Sequence, residues 1–69
     1  MSQISFITSC VEFYAEHTER ASTEIYSQFA RSGLLDMLRS DYEDLHGLSF
    51  EYLMGLFDEF LQPQDKALQ

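Results

Sequence analysis

Apolar residues recur along this chain every three or four positions, and polar residues fill the gaps between them. That spacing, near 100° per residue, is the period of an α-helix. No stretch alternates with a period of two, so no strand is predicted. The first predicted helix runs from about Ser2 to His17. Ile4, Ile7, Val11 and Tyr14 form its stripe, widened by Phe6, Cys10 and Phe13. Ser5, Thr8, Ser9, Glu12 and Glu16 occupy the other face, as in a half-buried amphipathic helix.

A polar break follows over Thr18 to Ala21, and Ser22 is the expected N-cap of a second helix. Glu24 lies in its first turn, where the helix dipole favours an acid. Ile25, Tyr26, Phe29 and Ala30 are its expected buried residues, and Gly33 is its expected stop. A third helix is predicted from about Leu34 to Leu45, with Leu34, Leu35, Leu38, Tyr42 and Leu45 on one face. His46-Gly47 is the next break. Ser49 can cap a fourth helix from about Phe50 to Leu61, which Pro63 should end. The expected domain is therefore residues 1–62, followed by a flexible tail over 63–69. The architecture expected is all-α, a compact bundle of three to four short antiparallel helices.

The fourth helix is apolar over more than half its circumference. Phe50, Leu53, Met54, Phe57, Phe60 and Leu61 make the main stripe, and Tyr52 and Leu56 extend it. Only Glu51, Gly55, Asp58 and Glu59 remain as a polar strip. Such a helix must be central in its bundle or must meet a second surface.

Size sharpens that point. A 69-residue chain forms one domain with a core only marginally adequate. Ordering costs roughly 1.5 kcal/mol per residue, which apolar burial barely exceeds. Apolar residues make up 45% of the chain, with six Phe and four Tyr, so good helix packing or a partner can close the gap. One cysteine, Cys10, rules out an internal disulfide and reads as a small buried hydrophobe. No basic leader and no run long enough for a membrane span is visible, which points to a reducing, cytoplasmic setting without membrane association.

Net charge is −8, distributed as −2 over residues 1–33 and −6 over 34–69. That field repels phosphate backbones and attracts basic surfaces. Helices two and three, joined tightly at Ser32-Gly33, have the spacing of a helix-turn-helix. The would-be recognition helix carries Asp36, Asp41, Glu43 and Asp44 against Arg39 alone, so nucleic acid is not an expected partner.

Catalytic chemistry is poorly supplied. His17 and His46 sit at helix ends, where the dipole favours them. A metal site using His46 with Asp41 or Asp44 would need two more convergent ligands, and no ligand-spaced motif is present. Cys10 and His17 lie two turns apart, too far for a nucleophile and its base. Asp58-Glu59 and Glu43-Asp44 are sequence neighbours that point in different directions on a helix. No phosphate loop or dinucleotide fingerprint occurs. The expectation is a non-enzymatic chain without a cofactor. Tyr42 and Tyr52 flank the His46-Gly47 corner among acids, the kind of surface that engages a basic protein. The candidate partner-binding residues are Asp36, Tyr42, His46, Tyr52 and Leu56. Self-association into a homodimer through the fourth helix is the alternative.

Two segments, Phe6-Ile7-Thr8-Ser9-Cys10-Val11-Glu12-Phe13-Tyr14-Ala15 and Gly33-Leu34-Leu35-Asp36-Met37-Leu38 with Tyr42 and Leu45-His46, resemble the domain-of-unknown-function 3791 family of short bacterial proteins. The likeness covers roughly Ile4 to Leu61. It implies no activity. Members tend to be encoded beside a larger ADP-ribosyltransferase-like protein, so the resemblance suggests an accessory or antitoxin-like partner. Family members often carry polar residues after the Leu-His pair, where this chain has Gly47-Leu48.

Overall fold

Ser2 opens the first helix by accepting a hydrogen bond from the Ser5 amide at 3.1 Å, satisfying one of the four orphan donors of the first turn. A computed structural model describes residues 2–67, and of residues 62–67 the backbone alone. Among the described residues five helices follow in order: α1 (Gln3–Thr18), α2 (Ser22–Ser32), α3 (Leu34–Ser40), α4 (Tyr42–Leu45) and α5 (Phe50–Ala67). No strand occurs among the described residues, so the fold is all-α. α1 is the hub, packed on α2, α3 and α5.

The core is one cluster. Phe6, Phe29 and Phe57 are its largest fully buried side chains, with Ile25, Leu34, Leu38 and Leu53 around them. Tyr14 meets Phe29 and Phe57 at ring-centroid distances of 5.6 and 5.9 Å, and Phe29 meets Phe57 at 5.4 Å. Edge-to-face pairs like the last two are favoured over flat sandwiches by the ring quadrupoles. Thus α1, α2 and α5 are joined by aromatic packing rather than by a covalent staple.

Several local expectations change. The buried line of α1 is Phe6, Cys10, Val11, Tyr14 and Ala15; Ile4 is 79% exposed and Phe13 is also exposed. Ile4 shares the apolar arc, but the packing of α2 and α3 leaves its side chain uncovered. On α2, Tyr26 and Ala30 face outward, leaving Ile25 and Phe29 as the buried pair. Ser22 is the first helical residue, and Ala21 holds the N-cap position with no side-chain hydrogen bond. The reason lies in the preceding turn. Glu19 adopts a left-handed conformation, φ 57°, which lets the Arg20 amide close on the Ala15 carbonyl at 2.9 Å. The connection is then so short that α2 starts one residue early.

The helix expected over Leu34–Leu45 is broken at Asp41, with φ −102° and ψ 18°. The Ser40 hydroxyl donates to the Asp36 carbonyl at 2.8 Å, a local bond that competes with the helical ladder and bends it. The bend turns Leu45 into the core and sets Tyr42 edge-on against Phe6, 5.5 Å between centroids. Ser49 caps α5 as expected, accepting from the Tyr52 amide at 3.1 Å. α5 itself continues to Ala67, past the stop expected at Pro63. Proline removes one amide donor, the one aimed at the Glu59 carbonyl. A helix already about three turns long extends without a new nucleus. The remaining residues of the expected tail, 68–69, lie outside the described residues.

Candidate interaction surface

The five expected partner-binding residues fall into three places. Asp36 is on α3, exposed, in a long ion pair with Arg39 at 3.6 Å. Tyr42 and His46 are brought together at the α4 corner. Their rings stack at 4.6 Å, and His46 Nδ1 donates to the Tyr42 carbonyl at 2.8 Å. That bond occupies one ring nitrogen in local structure. Asp41 and Asp44 do not gather with His46 into a ligand set: among the described residues no group of three or more His, Cys, Asp or Glu side chains converges.

Tyr52 and Leu56 meet on α5. One turn apart, they line an open notch of about 300 Å³ with Gly55, bordered by Glu51 and Glu59. Tyr52 is 60% exposed, whereas Leu56 is half-buried against the core. A side chain added at Gly55 would meet nothing within 4 Å, so the absent Cβ leaves the notch open. The excess apolar surface expected of this helix is therefore narrower than its sequence implies. Leu53, Met54, Phe57 and Leu61 are buried, and Phe50, Leu56 and Phe60 are half-buried against the core.

Two features lie beyond what the helical period predicts. One is a trough between α1 and α2, about 460 Å³, lined by Ile7, Val11, Tyr26 and small hydroxyl residues. It continues toward α3 past Ile4 and Leu35. The exposure of Ile4 and Tyr26 creates it. No signal in the helical period alone distinguishes these two from their buried neighbours.

The other is a polar clamp between α1 and α5. The Tyr14 hydroxyl donates to Asp58 Oδ1 at 2.7 Å, and His17 Nε2 donates to Asp58 Oδ2 at 3.1 Å. Burial works to raise the Asp58 pKa, but the hydrogen bonds from Tyr14 and His17 and the His17 charge outweigh it. The carboxyl sits below its ordinary 3.8. Burial, then the Asp58 hydrogen bond and charge, raises the Tyr14 hydroxyl well above its ordinary 10. The sequence signal was available in part: Tyr14 and His17 are three apart and share a helix face. Their common partner is 41 residues beyond His17 and could not be inferred from spacing. All three groups are engaged with one another. Burial pushes the Cys10 thiol up to about 12, so it stays protonated and unreactive.

Among the described residues, no helix is long and apolar enough to cross a membrane. No curated protein and no solved structure matches the chain. A family model described as "Protein of unknown function (DUF3791)" matches residues 5–64, which covers α2, α3 and α4 and most of α1 and α5, and the chain belongs to that family.

Proposed function

We propose that this chain is a non-catalytic protein-binding module that receives a basic partner on the α5 notch. The observation that carries this reading is Tyr52. It is a large aromatic left 60% exposed, seated between Glu51 and Glu59 in a chain of net charge −8. Exposed tyrosines are favoured interface anchors because they bury much area for little lost side-chain freedom. Flanking carboxylates attract Lys and Arg and speed encounter. In its cell the module serves as the accessory or antitoxin-like companion of a neighbouring ADP-ribosyltransferase-like protein, the role its family resemblance suggests.

Affinity purification from the native host tests this with three tagged chains: wild type, Tyr52→Ala and the double variant Glu51→Lys/Glu59→Lys. A basic protein should co-purify stoichiometrically with wild type and be lost from both variants, whose thermal melts should match wild type. Recovery of no stoichiometric partner, or equal recovery with all three chains, refutes the proposal. Leu56 is a poorer probe, because its half-buried side chain mixes fold with surface.

A further inference from the structure

The α1–α2–α3 trough shares no residue with the α5 notch, and it differs in charge. Its apolar floor runs along α1 through Ile4, Ile7 and Val11, about 10 Å at 1.5 Å per residue. Tyr26, half exposed, forms the wall from α2, and Leu35 closes the α3 end. Ile4 is the most exposed large hydrophobic side chain among those described. Leaving such a surface in water is unfavourable by roughly 25 cal/mol per Å².

The charges sit at opposite ends. Glu12 lines the end toward the start of α2. Arg39 lines the other end, beside Ile4. The residues that line it carry one acid and one base, so their charges balance in a chain of net charge −8. A like-charged second copy would be repelled from most of the surface, but not from here. A two-fold axis through the middle of the trough lays one α1 antiparallel on the other. It places Glu12 of each copy against Arg39 of the second. Arg39 already touches Asp36, but that pair is 3.6 Å long and exposed, and a guanidinium has donors for two carboxylates.

We propose that this trough is a homodimer face: its occupant is the same trough of a second copy of this chain, docked two-fold and antiparallel. The contact is isologous, so each complementary end is used twice. Thr8, Thr23 and Ser27 are short, which lets the two helices approach closely. A standard interface takes about 800 Å² per partner, roughly a sixth of this chain's 4651 Å² of accessible surface. Three of the five helices contribute to it, leaving the α5 notch of each copy open to a different protein.

Sedimentation equilibrium of the full chain at roughly 100 µM and about 0.15 M salt, which screens the net charge beyond about 8 Å, tests the assignment. Wild type should be dimeric. Ile4→Glu should weaken the dimer by at least about tenfold, the loss expected when a charge enters an apolar contact. Ile4 is so exposed that the fold should not change, and circular dichroism checks this; Tyr26→Lys gives a second disrupting variant. Glu12→Lys and Arg39→Glu should each weaken association severalfold, and the double variant Glu12→Lys/Arg39→Glu should recover it. Tyr52→Ala should leave it unchanged. A wild-type monomer at this concentration overturns the proposal. So does a dimer indifferent to both Ile4→Glu and Tyr26→Lys, or a double reversal no better than the single ones.

Discussion

Replacing Tyr14 by phenylalanine removes one oxygen and keeps the ring that packs on Phe29 and Phe57. The change therefore isolates the clamp between α1 and α5. The lost bond is short, 2.7 Å, and its acceptor is ionised. A hydrogen bond to a charged group contributes about 1.5–3 kcal/mol when well shielded. Here the Asp58 side chain is 37% exposed, so water screens the interaction and can rehydrate the freed carboxylate oxygen. The expected loss falls to about 1 kcal/mol, or roughly 4–8 °C in melting temperature for a domain of this size. The loss has a defined pH dependence. Asp58 has a folded pKa below its ordinary 3.8, so its contribution is present above 3.8 and disappears as pH falls through the lower folded value. Thermal melts of wild type and Tyr14→Phe should differ at pH 6 and converge as the pH is lowered below 3.8. Asp58→Asn should reduce the effect of Tyr14→Phe, because the two changes remove the same bond. A melt unchanged within about 1 °C at pH 6, or a difference of equal size at pH 6 and pH 2.5, refutes the clamp as a source of stability.

Three further outcomes follow from single residues. Gly33 links α2 to α3 at φ 89°, a left-handed conformation disfavoured for side chains, so Gly33→Ala should lower stability by about 1–2 kcal/mol in urea titration although its Cβ would meet nothing. Gly55→Ala should act oppositely, raising stability by about 0.5–1 kcal/mol, because a helix interior gains from a Cβ and this one has open space; the same change should fill part of the α5 notch and weaken partner recovery. Cys10 should resist alkylation at pH 8 until denaturant is added, with its thiol buried and pushed up to about 12; rapid labelling of the native protein would show that the core opens there.

The periodicity of apolar residues was enough to determine the all-α class and the approximate span of most helices. Those features depend on contacts between residues three and four apart, which spacing reports directly. Ser49 as a cap and Gly33 as a joint were legible for the same reason: both act within a turn of their own position. Periodicity could not tell which member of an apolar arc ends up covered. Ile4 and Phe6 both lie on the arc of α1, yet one is 79% exposed and the other buried, because burial depends on where α2, α3 and α5 come to rest. The break at Asp41 was hidden too, since Tyr42 and Leu45 keep helical register across it. The candidate surface was half legible: Tyr52 and Leu56 share a notch, while Asp36 lies apart on α3. The trough, and the meeting of Tyr14 and His17 with Asp58, belong to the tertiary structure. Each needs side chains from helices distant in sequence, and only packing brings those together.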